Sequence, residues 1–288
     1  MTSQLLRGLL DDASLFPPAS LAMPAAVAAH RRHEVAWYRS LCGPFVCADT
    51  RLADLRAALT TANSTAIDLS LVVTGGADAV SSALDAVAAD PRLRLRAVEV
   101  PVAKEGDQGA AVTAVVDGLD RAPLAAAAGY VEIPLHAIAD PATSGGLLGI
   151  VDSHGYRPKL RTGGVTAEAF PDEATLARCL IAVIDRRTPF KCTAGLHHAV
   201  RHTAADTGFE HHGFLNVLLA VAAAAGGADT EEVANLLAER DAATVAARVA
   251  GLDDDAIADS RYLFISFGTC STDEPVADLV ALGLLARS

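Results

Sequence analysis

Short apolar runs alternate with Ala-rich amphipathic segments along most of this chain. Eight of the runs have the apolar and β-branched character of strands, and they cover residues 9–13, 44–49, 67–74, 95–102, 129–134, 158–162, 190–194 and 262–267. Between them, segments such as 52–59, 77–88 and 172–184 carry apolar residues at three- and four-residue spacing, which predicts helices. Strands that alternate with helices in this way indicate βαβ units and a parallel sheet.

Eight such units predict an α/β fold, a (β/α)₈ TIM-type barrel that takes up residues 1–288 as one domain. An open doubly wound sheet is the alternative. It predicts a Gly-x-Gly-x-x-Gly turn after an early strand, and the sequence contains none, so we also expect no nucleotide cofactor. Residues 213–260 add a helical segment between the seventh and eighth strands. We interpret it as helices packed on the barrel, with a lid or a homo-oligomer surface as alternatives.

Charge and composition limit the kinds of molecule that the protein is expected to bind. The net charge is −12, and an acidic protein without a basic stripe disfavours nucleic acid. The five cysteines form no Cys-x-x-Cys pair, which argues against a disulfide framework or a zinc knot. The start of the chain does not resemble a signal peptide, and its apolar runs are too short to span a bilayer. We therefore expect a cytoplasmic protein that binds a small molecule and no membrane.

Charged residues lie near the ends of the predicted strands, where barrels carry their active sites. Residues two apart share a strand face, so Lys159 and Arg161 point the same way, as do Lys191 and Thr193. An unpaired charge among the helices would be costly, so we place these side chains inside the barrel. Simple interior ion pairing is the alternative to a catalytic role. The predicted catalytic residues are Glu99, Glu132, Lys159 and Lys191.

Histidines are concentrated after the seventh strand, where five of the nine lie between residues 197 and 212. Adjacent imidazoles can bind one metal ion, so His197 and His198 together with Asp11 and Asp12 are candidate ligands for a divalent cation. These two motifs resemble the metal-dependent barrel lyases of the hydroxymethylglutaryl-CoA lyase type. The resemblance implies a metal held by a first-strand Asp and two seventh-strand His. That family has Asp-Arg and His-x-His where this chain has Asp-Asp and His-His.

Two turns that contain glycine are candidate binding sites for a carboxylate or phosphate, because backbone N–H groups in such turns can hold anions. One follows the sixth strand and the other the eighth. The candidate substrate-binding residues are Arg161, Thr162, Gly163, Gly164, Thr193, Gly268 and Ser271. The stretch 191–196 and the residues His211-His212-Gly213 also resemble motifs of quinolinate phosphoribosyltransferases.

These features together predict an aldolase-like lyase that acts on a small anionic carbonyl compound. Either Lys159 or Lys191 would form an imine with the substrate or stabilise its enolate as a cation. Alternatively, a divalent metal ion would stabilise that enolate. Glu99 and Glu132 would transfer protons. Three other functions stay open at this point: a metal-dependent hydrolase, a phosphoribosyltransferase-like transferase, and a binding barrel without catalysis.

Overall fold

A closed ring of parallel strands forms the centre of the molecule, as seen in the computed structural model, which describes residues 2–59 and 65–287. The ring strands are β1 (Leu10–Asp12), β2 (Cys42–Ala48), β3 (Ile67–Val72), β4 (Leu93–Pro101), β5 (Ala128–Glu132), β6 (Arg157–Arg161), β7 (Phe190–Thr193) and β10 (Phe264–Thr269). They pair in the order β1-β10-β7-β6-β5-β4-β3-β2. Every predicted strand overlaps one of them, so the TIM-type barrel is confirmed.

Helices surround the ring and connect its strands. They are α1 (Thr2–Leu5), α2 (Met23–Val35), α3 (Leu52–Ala58), α4 (Val80–Ala88), α5 (Gln108–Asp120), α6 (Leu135–Ala139), α7 (Pro141–Ser153), α8 (Glu173–Ile184), α9 (Phe214–Ala225), α10 (Thr230–Ala238), α11 (Ala242–Ala250), α12 (Asp254–Leu263) and α13 (Asp273–Ala281). Aspartate side chains accept first-turn N–H groups and so begin α5, α7, α8, α10, α11 and α12. Within the described residues, no helix has both the length and the apolar character to cross a membrane.

The extra helical segment packs on the outside of the barrel. Helix α9 is buried around most of its circumference because the barrel covers one side and helices α10 to α12 contact the others. Phe214 of α9 stacks on Phe267 of β10 with ring centroids 5.2 Å apart. Helix α10 also packs against α8, so the segment extends the outer helical layer. This arrangement agrees with the interpretation of residues 213–260 as helices packed on the barrel.

A two-stranded hairpin after β7 is the one part of the described sheet structure that the sequence pattern did not predict. It consists of β8 (His202–Thr203) paired antiparallel with β9 (Glu210–His211). Each strand has only two residues, too few for a detectable alternation of polar and apolar positions. The hairpin lies beside the turn that follows β7, because the ring of His211 hydrogen-bonds to the Gly195 carbonyl at 3.2 Å.

Candidate active site in the barrel

Six charged side chains of alternating sign form one continuous row inside the barrel. Lys191 contacts Asp11 at 2.5 Å and Glu99 at 2.6 Å. Strands β4 and β7 are not neighbours in the ring, so a contact between Glu99 and Lys191 has to pass through the interior. The structure therefore places these strand residues inside, as side-chain alternation predicts.

The same row continues towards the C-terminal end of the barrel. Lys159 contacts the second oxygen of Glu99 at 2.6 Å and Glu132 at 2.8 Å. Glu132 in turn accepts a hydrogen bond from Nε of Arg161 at 2.7 Å. The Arg161 side chain is 43% exposed, the Glu132 side chain 11%, and the two lysines are buried. Arg161 therefore forms the solvent end of the row, and Asp11 forms the inner end.

Electrostatics keep most of this row ionised. Burial opposes ionisation of Glu99, but the charges of Lys159 and Lys191 outweigh it and lower the pKa of Glu99. Burial likewise works against the Lys191 ammonium, yet Asp11 and Glu99 raise its pKa. For Asp11 burial prevails over Lys191, so its pKa is raised. Buried charges persist only when they are paired, and each buried member here has at least one partner.

Neutral groups support the row from other strands. Ser70 of β3 donates to Glu99 at 2.5 Å, and Ser266 of β10 donates to Asp11 at 2.9 Å. The Lys191 ammonium lies 5.4 Å from the ring centre of Tyr130, a cation–π distance. Sequence reasoning missed all three residues. The available signal in the sequence was a polar residue within an otherwise apolar strand. That signal does not indicate which charged side chain the polar residue will contact.

Arg261 lies at the end of the barrel opposite Arg161, where the strands begin. The sequence pattern did not indicate a role for this residue. Arg261, from the last turn of α12, donates to the backbone carbonyls of Arg7, Phe264 and Ile265 at 2.9, 2.5 and 2.7 Å. Burial lowers the pKa of Arg261 to about 10. Its contacts tie the residues before β1 to the start of β10, at the end of the barrel opposite Arg161.

The four predicted metal ligands do not come together. Asp11 faces the interior and binds Lys191, whereas Asp12 faces outwards and accepts from His30 of α2 at 3.0 Å. His197 lies near the Cys270 thiol at 3.5 Å, and His198 contacts Asp278 of α13 at 3.0 Å. Across residues 2–59 and 65–287, no three His, Cys, Asp or Glu side chains converge in an arrangement that could hold a metal ion.

The glycine turn after β6 packs tightly against the turn after β7. A Cβ atom on Gly163 would lie 2.6 Å from the Cα of Gly195, and one on Gly164 would lie 2.6 Å from the Ala169 side chain. Thr162 donates through its hydroxyl to the Ala194 carbonyl at 2.6 Å. In this structure the two glycines allow close packing of neighbouring loops.

The candidate residues near β10 have mainly local partners. A Cβ on Gly268 would lie 3.3 Å from the Thr193 hydroxyl, so these two positions face each other on neighbouring strands. The Ser271 hydroxyl accepts the Glu274 amide at 3.3 Å, next to the first turn of α13. Carboxylates Asp273 and Glu274 occupy that first turn, where they complement the helix dipole.

Comparisons with known proteins add no family to these observations. No protein-family model matches the sequence, and no curated protein is significantly similar to it.

Proposed function

We propose that this chain is an aldolase-like lyase that acts on a small anionic carbonyl compound through an imine on Lys159. The observation that carries the proposal is the row of charges inside the barrel. In this row two lysines share the Glu99 carboxylate, and one of them, Lys159, is connected through Glu132 to the half-exposed Arg161. Buried ion pairs stabilise a fold less than apolar packing would. A row of six at the end of a barrel that normally carries catalytic groups therefore favours chemistry over stability.

Lys159 is better placed for imine formation than Lys191. The partners of Lys191 are Asp11 and Glu99, both buried, and together they raise its pKa and keep it protonated. Lys159 also contacts two carboxylates, Glu99 and Glu132, but its partner Glu132 contacts Arg161 at the solvent end. Side chains two apart on a strand are separated by about 7 Å along it. A carboxylate held by Arg161 would thus leave a nearby carbonyl carbon within reach of Lys159.

Substrate binding would also supply the base. A lysine must lose a proton before it can attack a carbonyl. In the free protein Glu132 is a weak base, because burial is outweighed by Lys159 and Arg161, which lower its pKa. A substrate carboxylate that binds Arg161 competes with Glu132 for the guanidinium. Glu132 then loses part of its cationic surroundings, its proton affinity rises, and it can take the proton from Lys159.

The proposed reaction balances with these groups alone. The neutral Lys159 amine adds to the carbonyl carbon. The resulting oxygen takes one proton from the adduct nitrogen and a second from Glu132, and it leaves as water. The product is a protonated imine. When the bond between the α and β carbons breaks, Glu132 takes the proton of the β-hydroxyl group, and the β carbon leaves as the carbonyl of the first product. The electron pair of the broken bond moves into the cation and gives an enamine. Addition of a proton and then of water releases the second product and restores the Lys159 amine.

The metal-assisted form of the same reaction relies on Asp11, Asp12, His197 and His198. These side chains point to different partners, so we propose the imine form of the reaction.

Borohydride trapping tests this proposal. We would incubate the untagged protein with pyruvate or glyceraldehyde 3-phosphate, reduce it, and locate the modified peptide by mass spectrometry. We expect an adduct on Lys159 that is absent in Lys159→Arg and present in Lys191→Arg. Both variants keep the charge, and circular dichroism would check that both are folded. An adduct confined to Lys191, or no adduct with either compound, would contradict the proposal.

A further inference from the structure

A cluster of four histidines lies beside the barrel end that carries Arg161, outside the row of buried charges. Its members are His197, His198, His202 and His211. Neighbouring ring centres are 4.7 Å apart between His198 and His202, 5.1 Å between His202 and His211, and 6.1 Å between His211 and His197. The imine chemistry proposed above uses none of them.

The two central histidines are paired by the hairpin itself. His202 of β8 and His211 of β9 are direct partners in the antiparallel register. Directly opposed residues in such a pair have Cβ atoms about 5 Å apart and project to the same face. Their strand neighbours, Thr203 and Glu210, are also partners and hydrogen-bond each other. The hairpin therefore presents two imidazoles side by side on one face.

Hydrogen bonds leave the same nitrogen of each central ring available. His202 bonds through Nδ1 to the Val200 carbonyl at 3.1 Å, and His211 bonds through Nδ1 to the Gly195 carbonyl at 3.2 Å. A carbonyl only accepts, so Nδ1 carries the proton in both rings and Nε2 keeps its lone pair. Neither Nε2 has a hydrogen-bond partner among the residues that the structure describes.

This is the arrangement that metal-binding histidines adopt, in which one nitrogen donates to a carbonyl or carboxylate and the other binds the ion. One of the two outer members follows the same rule, since the Nδ1 of His198 contacts Asp278 at 3.0 Å. Burial, with a smaller contribution from neighbouring imidazoles, lowers the pKa of His202 and of His211. Both rings are therefore neutral at pH 7, and both are partly exposed, so an ion can reach them from solvent.

We propose that His202 and His211 form the core of a binding site for a divalent transition-metal ion, with His198, His197 or water completing its coordination. In the described residues, no three donor side chains converge with the imidazole rings in their present orientations. The part of the site that is already in place is therefore the cross-strand pair His202 and His211. Imidazole ligands select zinc, copper or nickel over magnesium or calcium. A bound ion would join β8 to β9 and fasten the hairpin to the turn after β7. This site is separate from the lysine chemistry. Its two core residues are not among the four metal ligands predicted from the sequence, although the outer residues His197 and His198 are.

Isothermal titration of the untagged, metal-free protein with ZnCl₂ tests the proposal, with MgCl₂ as the comparison ion. We expect saturable binding of one Zn²⁺ per chain and no binding of Mg²⁺. The double variant His202→Gln/His211→Gln should bind Zn²⁺ at least tenfold more weakly. The control His136→Gln replaces an exposed histidine of α6 and should bind as the unaltered protein does.

Thermal unfolding with and without Zn²⁺ provides the second readout, since an ion that binds the folded state raises the melting temperature. The rise should disappear in the double variant and persist in His136→Gln, while both melt alike without metal. Absence of Zn²⁺ binding at 100-fold molar excess, or undiminished binding by the double variant, would overturn the proposal. Neither measurement uses a substrate, so failure here leaves the borohydride result unaffected.

Discussion

Lys159 on β6 is the direct register partner of Lys191 on β7. Two ammonium groups on adjacent strands would repel each other, and the structure resolves this by placing one carboxylate between them. Glu99 from β4 gives one oxygen to each lysine, at 2.6 Å in both cases. The position of this single glutamate therefore determines whether both cations can be buried in the same layer of the barrel.

We expect Glu99→Gln to destabilise the protein by about 3 kcal/mol or more, because it leaves two buried ammonium groups with one carboxylate fewer. Denaturant unfolding followed by circular dichroism would measure this. Glu105→Gln, at an exposed position, is the matched control and should change stability by less than about 0.5 kcal/mol. Equal stability of the two variants would show that the shared carboxylate is not needed for folding.

We expect Arg161→Gln to slow the reaction of the protein with anionic carbonyl compounds much more than its reaction with neutral ones. The guanidinium is the half-exposed cation of the row, so its loss removes a charge-assisted contact to an anionic substrate. We expect borohydride trapping of an anionic compound to slow about tenfold or more, while trapping of an uncharged aldehyde such as propanal changes little. Trapping rates measured at several concentrations would provide the comparison. An equal loss for both compounds would assign Arg161 a structural role instead.

Alanine at a glycine of the turn after β6 and alanine at a glycine of helix α7 should change stability in opposite directions. Gly163→Ala places a methyl group 2.6 Å from the Gly195 Cα, so we expect a loss of about 1–3 kcal/mol. Gly145 lies at an exposed position of helix α7 with open space around it, so Gly145→Ala should stabilise the protein by up to about 1 kcal/mol. Melting curves of both variants test this. A neutral Gly163→Ala would mean that the turns separate easily.

Acid should destabilise the protein partly through His212, which is fully buried. Its Nε2 bonds to the Pro171 carbonyl at 2.8 Å, and Arg201 donates to its Nδ1 at 3.1 Å. Burial is the main cause that lowers the pKa of His212 to about 4, with the nearby Arg201 acting in the same direction and the Pro171 carbonyl, Glu173 and Asp172 opposing. A histidine with a depressed pKa contributes stability above pH 6.5 that is lost as the pH falls towards 4.

The size of this contribution is about 3 kcal/mol, and unfolding measured at pH 7, 6, 5 and 4 would reveal it. His212→Gln keeps an acceptor for Arg201 and a donor for Pro171 but cannot titrate. Its stability should therefore depend less steeply on pH than that of the unaltered protein. His197, whose pKa burial also lowers to about 4, should retain part of the slope. An unchanged slope in His212→Gln would assign the acid sensitivity to other groups.

Much of the fold could be predicted because each barrel strand repeats the same short apolar run before a helix. The inward direction of Lys159 and Lys191 also followed, since alternation along a strand is a local property. Their partners did not follow. Asp11 and Asp12 are adjacent in sequence and both acidic, and only the register of β1 shows that the first joins Lys191 and the second joins His30.

The histidine-rich stretch illustrates the other limit of prediction. Its composition indicated a functional region, but the pairing of His202 with His211 depends on a reversal of the chain between residues 203 and 210. That reversal is stabilised in part by Arg201, which contacts Glu210 of β9 and also the distant Glu173 at the start of α8. Contacts between residues distant in sequence leave no periodic signal in the chain.

The interior row contains three acids and three bases, so it is electrically neutral as a unit. An arriving monoanion that has no carbonyl group to react with Lys159 upsets that neutrality, and the nearest group able to restore it is Glu132, by taking up a proton. Ligand association would then be coupled to proton uptake from the buffer. Anionic ligands would bind more tightly as the solution becomes more acidic, and the heat of binding would vary with the ionisation enthalpy of the buffer.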